Sequence, residues 1–416
     1  MDELKSLPER SVKYIKYFFK WLAIGLLLGA AGGLVGTLFH KLVELAIGVR
    51  EVRPWLVWLL PLGGLATAGM YAAARVPLDT NRVIKAVHRK EDVPIIMAPL
   101  IFVSTVITHL FGGSAGREGA ALQIGGAIGW NLGRLIRLDE RDMHLAVACG
   151  MASVFSALFG VPVAAAVFSL EVASVGIFYY AGLVPCLTAS LTAGAIASAL
   201  GVKGVSLGLP EVPAMTLASV GAVLLVAVCC AVLSIVFCLA LHHTEAAAKA
   251  HIKYPWLRPM VGGAAVAVLT WLVGTYDYNS LGLDVVQRAI GGSAEPEAFA
   301  LKMLFTVLTV SFGFKGGEIV PTMFIGSTFG CLLGTLIGFQ PGFCAAVGLI
   351  SLLCGVLNCP FAMLVMSVEL FGSEALPLFA AAVAVSYTLS GTYGLYGEQN
   401  LVYSKLRAMY INIHTK

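Results

Sequence analysis

Long uncharged stretches are the main pattern along this chain. Residues 145–170, 172–202 and 214–241 contain no Asp, Glu, Lys or Arg, and residues 319–368 form a run of 50 without a charge. A helix needs about 20 apolar residues to cross the hydrocarbon core, and a charge at its centre costs about 2.5–3.5 kcal/mol. Because helices of soluble proteins keep a polar face, the pattern predicts several membrane-spanning helices.

Glycine and proline interrupt the apolar runs at two places. The interrupting residues are Gly112, Gly113, Gly116 and Gly119 at the first place, and Gly316, Gly317 and Pro321 at the second. Irregular backbone at membrane depth is tolerated only where it is buried in protein or lines a cavity. Each interruption therefore predicts half-helices whose free N–H groups and positive dipole ends can hold an anion.

The chain is an internal duplication. Pro54-Trp55-Leu56 recurs as Pro255-Trp256-Leu257, an offset of 201 residues, and the pattern P-x-A-x-x-V-x-S-x-E occurs at 162–171 and at 360–369. Such repeats are typical of pseudosymmetric transporters with a substrate site at the repeat interface. We predict a basic N-terminal segment at 1–20, membrane repeats at 21–205 and 206–402, and a C-terminal helix with a cytoplasmic tail at 403–416.

Composition and charge narrow the class of protein. The 416 residues are 58% hydrophobic and 12% charged, against about 25% charged in soluble domains. Both ends are basic, so the positive-inside rule places both in the cytoplasm, as in a multi-pass protein of the cell membrane. The cluster at His242, His243, Glu245 and His251 favours a solvated connector over a metal site. No motif of an intramembrane enzyme, metal site or nucleic-acid-binding module is present, and no cofactor is expected.

Glu118 is the strongest candidate for transport chemistry. It lies in the first interruption, between Arg117 and Gly119 and between the apolar segments 93–115 and 120–136. An ionisable group inside the membrane indicates a functional role by default. Backbone N–H groups would stabilise either a bound anion or the Glu118 carboxylate, and protonation would release the side chain. One residue can then gate the anion and carry the proton; the alternative is a structural pair with Arg117.

Glu318 occupies the matching place in the second interruption, ahead of Ile319 and Val320. It could join the proton path. The alternative is a solvent-facing acid at a helix N-terminus, where acids are common.

These motifs resemble one known family. Gly116-Arg117-Glu118-Gly119-Ala120 is similar to the GREGP signature of the CLC chloride channels and anion/proton antiporters, and Gly317-Glu318-Ile319-Val320-Pro321 resembles their GxFxP element. The resemblance runs from about residue 20 to about 410. It implies an all-α polytopic membrane protein with two inverted-topology repeats of tilted and broken helices, forming a homodimer with one pore per subunit. It also implies that Glu118 is the gate and that amides around Glu318 to Val320 contact the anion.

The departures from the family pattern point to one branch. The chloride-coordinating Ser loop, GSGIP, is replaced by residues 78–83, where Thr80 or Asn81 stands in place of the Ser. Ile319 replaces the usual Phe beside the unusual Glu318, and Val172 stands where chloride/proton antiporters carry an internal Glu. Together these changes resemble the fluoride-exporting branch. Fluoride is small and strongly hydrated, so binding it requires close hydrogen-bond donors.

Two further pairs of residues, one of tyrosines and one of glutamates, are candidates for a role in the site or in packing. The family uses a Tyr at its inner anion site. Tyr403 matches the usual local sequence better, whereas Tyr396 follows a Gly-rich break, and we favour Tyr396. Glu171 and Glu369 end the two copies of the repeated segment. Structural pairing at the repeat or dimer interface is the favoured role for both.

The resemblance therefore implies a homodimeric fluoride/proton antiporter of the lipid bilayer, which exports fluoride by proton entry. The anion-binding candidates are Thr80, Asn81, Gly116, Arg117, Gly119, Gly317, Ile319, Val320, Tyr396 and Tyr403, with Glu118 and Glu318 transferring protons. The alternative is a chloride/proton antiporter or chloride channel of the same fold.

Overall fold

A computed structural model describes residues 2–76, 92–209, 211–407 and 409–416, with side chains from residue 12 onward. The helices are α1 (Asp2–Val52), α2 (Leu60–Ala73), α3 (Met97–Leu110), α4 (Glu118–Leu135), α5 (Glu140–Phe159), α6 (Pro162–Glu171), α7 (Leu183–Ala199), α8 (Leu217–His251), α9 (Leu257–Val273), α10 (Leu283–Ile290), α11 (Ala298–Ser311), α12 (Ile319–Ile337), α13 (Pro341–Leu357), α14 (Pro360–Phe371) and α15 (Leu376–Leu389). Short 3-10 turns at Pro54–Leu59 and Tyr180–Gly182 precede α2 and α7. The strands are β1 (Ser174–Val175), β2 (Asn400–Tyr403) and β3 (Tyr410–His414).

The helices divide into long and short classes. Six helical stretches in the described part of the chain are long and apolar enough to cross a membrane. The others are α4, which has 18 residues, the apolar helices of 10–17 residues and the amphipathic α10, and several of the apolar ones end at glycine-containing breaks. Large apolar side chains such as Trp55, Leu191 and Phe361 are exposed, as expected of surfaces that face lipid. The protein is therefore an all-α polytopic membrane protein, as the charge pattern predicted.

The helices repeat in the order that the sequence duplication predicted. Adding the offset of 201 to the bounds of α3 gives 298 and 311, which are the bounds of α11. The same shift moves the start of α4 to residue 319, where α12 begins. Each repeat thus carries a short helix, a glycine-containing break and a longer helix, in that order.

Reciprocal hydrogen bonds join the two copies of the repeated segment. The Glu171 carboxylate, at the end of α6, accepts from the N–H groups of Phe361 and Ala362 at 3.2 and 2.8 Å. Glu369, near the end of α14, accepts from those of Val163 and Ala164 at 2.9 and 2.7 Å. Each carboxylate thereby satisfies the free N–H groups at the start of the opposite helix. Both residues pair structurally between the repeats.

Glycines on α1 allow α7 to approach it closely. A Cβ added at Gly29 would lie 2.6 Å from the carbonyl oxygen of Ala189 on α7, so only glycine fits this contact. Gly25 and Gly33 meet α7 at Pro185 and Ala193. Since the contacts advance along both helices together, α1 and α7 run parallel.

The C-terminal segment differs from its prediction. Residues 403–416 were expected to contain a helix, but β2 pairs antiparallel with β3 and parallel with β1. Tyr403 and Tyr410 pair across the two strands with their rings 5.9 Å apart. The β-branched and aromatic residues of the sequence YINIH favour a strand, and the expected helix is therefore wrong.

Candidate functional site: an anion-sized site between two helix breaks

Backbone hydrogen bonds join the two glycine-containing breaks directly. Gly116 N–H donates to the Gly317 carbonyl at 2.5 Å, and Gly317 N–H donates to the Gly116 carbonyl at 2.7 Å. A Cβ at Gly317 would lie 2.4 Å from the backbone nitrogen of Gly119. The two breaks therefore meet only because glycine occupies these positions, and the meeting point brings the N-termini of α4 and α12 together.

Glu118 is buried at this meeting point, with only 1% of its surface exposed. Its Oε2 accepts a hydrogen bond from the Arg117 N–H at 3.0 Å. A Cβ at Gly116 would lie 2.6 Å from Glu118 Oε2 and 3.0 Å from the Gly317 carbonyl oxygen, so the carboxyl group lies against the contact between the two breaks. The N-termini of α4 and α12, one from each repeat, thus meet beside this carboxyl group, and their positive ends favour an anion there.

The Arg117 side chain also lies near the Glu118 carboxylate. Its Nε is 3.8 Å from Glu118 Oε1, too long for a hydrogen bond. Arg117 is 3% exposed, and its Nε and Nη1 have no hydrogen-bond partner among the described residues. The guanidinium therefore supplies charge beside the site without fixing the carboxylate.

Glu318 differs from Glu118 in its surroundings. It precedes α12 without a side-chain capping bond, and it is half-buried. Its Oε2 would lie 3.4 Å from a Cβ at Gly119, which places the carboxyl group beside the first break. It lines a cavity of about 270 Å³, here called the Glu318 cavity. The polar residues that line this cavity include Gln123, His242, Glu245, Lys249, Arg258, Lys315 and Tyr396.

The structure separates the two candidate tyrosines. Tyr396 is buried and lines the Glu318 cavity, and its hydroxyl has no hydrogen-bond partner among the described residues. Tyr403 lies on β2 with 45% of its surface exposed and is absent from the lining of the cavity. Only Tyr396 is placed beside Glu318.

A second cavity lies beside the first break. It has a volume of about 440 Å³ and is here called the Arg50 cavity, since Arg50 at the end of α1 lines it. Asn279 and Ser280 line it as well, and they bond to the break: Asn279 Nδ2 donates to the Gly112 carbonyl at 2.7 Å, and Ser280 N–H donates to the Gly113 carbonyl at 3.1 Å. The break that carries Glu118 thus contacts the walls of both cavities.

A buried lysine supports the wall of the Arg50 cavity. Lys302 is completely buried, and its Nζ donates to the carbonyls of Tyr278 and Ser280 at 3.1 and 2.8 Å. Its ammonium also lies 5.1 Å from the Phe324 ring centroid. Lys302 therefore holds the loop that closes over the first break.

The remaining predicted site residues divide into two groups. Ile319 and Val320 are fully buried in the first turn of α12, so they can offer only backbone groups to an anion. Thr80 and Asn81 lie outside the described residues.

Sequence reasoning missed most of the polar lining of the Glu318 cavity. The sequence predicts a solvated connector at His242 and Glu245, whereas the structure places both, together with Lys249, in the last turns of α8. Their spacing of three and four residues puts them on one face, and that face lines the cavity. The unbroken helical pattern from 217 to 251 was the signal that could have identified them.

Comparison with known proteins identifies the family of this chain. The family described as voltage gated chloride channel matches residues 63–391. The chloride/fluoride channel protein of Pseudomonas syringae pv. tomato is 36% identical over 407 residues, which cover 96% of this chain and 90% of the relative.

Two solved antiporter structures also resemble this chain. A CLC-type fluoride/proton antiporter superposes with a TM-score of 0.88 at 32% identity, covering 92% of this chain and 98% of that chain. A slow cyanobacterial Cl⁻/H⁺ antiporter superposes with a TM-score of 0.75 at 17% identity, covering 89% and 94%, and shows the shared fold. With its glycine-joined breaks and buried glutamate, the chain belongs to the CLC family, whose members are anion channels and transporters.

Proposed function

We propose that this protein exports fluoride in exchange for protons. The observation that carries the proposal is the buried Glu118 carboxyl group at the meeting point of two helix N-termini, one from each repeat. The likeness to a chloride/fluoride channel protein and to a fluoride/proton antiporter supports the choice of substrates.

Exchange follows from competition for one set of donors. The charged Glu118 carboxylate occupies the amides and blocks an anion. A proton removes the charge, and the neutral carboxyl group loses most of its attraction to the helix ends. A fluoride ion then takes the amides, and departure of that ion lets the carboxylate return after it releases its proton. Because anion and charged carboxylate exclude each other, movement of one is coupled to movement of the other.

The surroundings of the amides favour fluoride over chloride. Stripping water from fluoride requires close, strong donors, and the first turn of α12 offers only N–H groups beside the apolar Ile319 and Val320. Val172 is buried and offers no carboxylate, while Glu171 is already bonded to α14. The Glu318 carboxyl group lies beside Gly119 of the first break, so we assign it to the proton path.

Tyr396 is our candidate for the anion contact on the side of the Glu318 cavity. Its buried hydroxyl has no partner among the described residues, so it can donate to a passing anion. Thr80 and Asn81 remain proposed contacts as well.

The two cavities are proposed to open to opposite sides of the membrane. The N-terminal lysines of α1 favour the cytoplasm, and Arg50 lies at the other end of this helix. Since α7 runs parallel to α1, α8 returns toward the cytoplasm, where its last turns line the Glu318 cavity. Fluoride would enter there and leave through the Arg50 cavity, with both chain ends cytoplasmic in a bacterial inner membrane. We also propose a homodimer, which cross-linking in the membrane would test.

A flux experiment tests the proposal. Purified protein is reconstituted in liposomes loaded with fluoride or chloride, and an ion electrode and a pH electrode record efflux together. Fluoride efflux that drives protons uphill, with little chloride efflux, supports the proposal. Equal chloride efflux with proton coupling would assign a chloride/proton antiporter, and flux without proton movement would assign a channel.

A further inference from the structure

The segment that follows β3 encloses the loop that carries Tyr396. Thr415 Oγ1 donates to the Tyr396 carbonyl at 2.6 Å, and Thr415 N–H donates to the Gln399 carbonyl at 3.0 Å. Lys416 N–H donates to the Thr392 carbonyl at 2.9 Å, and its carbonyl accepts from Gly394 N–H at 3.2 Å. Thr415 and Lys416 are therefore hydrogen-bonded to both ends and to the middle of the loop 392–399.

The far end of this loop is fixed by a buried amide. Gln399 is completely buried, and its Nε2 donates to the carbonyls of Val172 and Leu357, each at 2.8 Å. Its Oε1 accepts from Asn358 Nδ2 at 3.0 Å. Since Val172 follows α6 and Leu357 ends α13, Gln399 anchors the loop to both repeats.

The middle of the loop has weaker support. The Tyr396 hydroxyl has no hydrogen-bond partner among the described residues, so its ring is not held by a polar contact at its tip. Its backbone carbonyl accepts from Gln399 N–H at 2.9 Å and from the Thr415 hydroxyl. Thr415 is itself only 6% exposed, so water does not compete strongly for this bond.

We propose that Thr415 is a positioning residue for Tyr396, holding the tyrosine hydroxyl at the wall of the Glu318 cavity. The inference rests on the proposed function insofar as Tyr396 contacts the transported anion. Thr415 lies on a segment remote in sequence from both helix breaks and acts only through the backbone of the loop. The C-terminal sheet thereby sets the geometry of the cavity.

Three variants and two readouts test this inference. Thr415→Val keeps the side-chain volume and removes the hydroxyl, Thr415→Ser keeps the hydroxyl, and Tyr396→Phe removes the proposed contact itself. Thr388→Val is the matched control, since Thr388 Oγ1 bonds only within its own helix, to the Ala384 carbonyl. Hydrogen–deuterium exchange of residues 394–399 reports the loop, and fluoride efflux from liposomes reports transport.

We expect Thr415→Val to speed exchange of the Gly394 and Gln399 amides about fivefold, the factor for one hydrogen bond of typical strength. It should also slow proton-coupled fluoride efflux several-fold, while Thr415→Ser and Thr388→Val behave as the native protein. Native exchange and native efflux in Thr415→Val would overturn the inference. If Tyr396→Phe slows efflux and Thr415→Val does not, the positioning role alone fails. If neither variant slows efflux, the proposed role of Tyr396 fails with it.

Discussion

Replacing Gly317 by alanine should separate the two helix breaks. The added Cβ would lie 2.4 Å from Gly119 N and 3.1 Å from Glu118 N, against about 3.4 Å for ordinary contact. The neighbours are backbone atoms, which cannot rotate away as a side chain can. The breaks must therefore move apart by about 1 Å, the difference between 3.4 and 2.4 Å.

That movement has a calculable cost. The reciprocal bonds between Gly116 and Gly317 would lengthen from 2.5 and 2.7 Å to about 3.5 Å or more, the limit of a hydrogen bond. Each lost bond costs about 0.5–1.5 kcal/mol, and overpacking adds about 1–3 kcal/mol. Gly317→Ala should therefore destabilise the fold by about 2–6 kcal/mol. It should also misplace the amides that bind Glu118, so fluoride efflux should fall at temperatures where the protein stays folded.

Thermal unfolding in detergent and fluoride efflux from liposomes measure the two effects. Gly69→Ala is the matched control, because a Cβ at Gly69 meets nothing within 4 Å; it should keep native stability and efflux. Native stability together with native efflux in Gly317→Ala would refute the argument that the site requires contact between the two breaks.

Three other predictions concern the supports of the site. Glu171→Gln and Glu369→Gln each leave one oxygen for two N–H donors, so each should destabilise the protein by about 1.5–3 kcal/mol in thermal unfolding; native stability in both would contradict the reciprocal capping. Tyr396→Phe should slow fluoride efflux in liposomes, and Tyr403→Phe should not. Slower efflux in Tyr403→Phe alone would instead assign the anion contact to Tyr403 on β2. Lys302→Met leaves two carbonyls without their donor and should lower stability by about 1.5–3 kcal/mol, whereas an unchanged unfolding temperature would remove its role as the support of the loop.

Much of the fold could be predicted because its determinants are local or repeated. Charge-free runs reveal helices in a membrane, since a charge there is costly. The recurrence of Pro54-Trp55-Leu56 fixed the offset at which α11 and α12 were later found. The glycines around Glu118 and Glu318 predicted breaks at these places, and α4 and α12 begin there, at Glu118 and Ile319.

The details of the site depend on contacts between residues that are far apart in sequence, which no local sequence pattern predicts. Tyr396 and Tyr403 have similar neighbours in sequence, and only the packing of their loop and strand separates them. Lys302 lies in an apolar helix and gave no signal of a role, because its partners are backbone carbonyls of a distant loop. The helix predicted within residues 403–416 is wrong, because the sequence YINIH favours a strand and β3 pairs with β2, whose other edge pairs with β1 of the first repeat.

Glu118→Gln tests the central claim most directly. The amide cannot carry a negative charge, so it should compete poorly for the site amides and cannot cycle a proton. In liposomes with a fluoride gradient, native protein should drive protons uphill against their own gradient, and Glu118→Gln should abolish that movement. Uphill proton movement that persists at the native rate in Glu118→Gln would contradict the account, because the proton would then travel without the residue that lies at the meeting point of the two breaks.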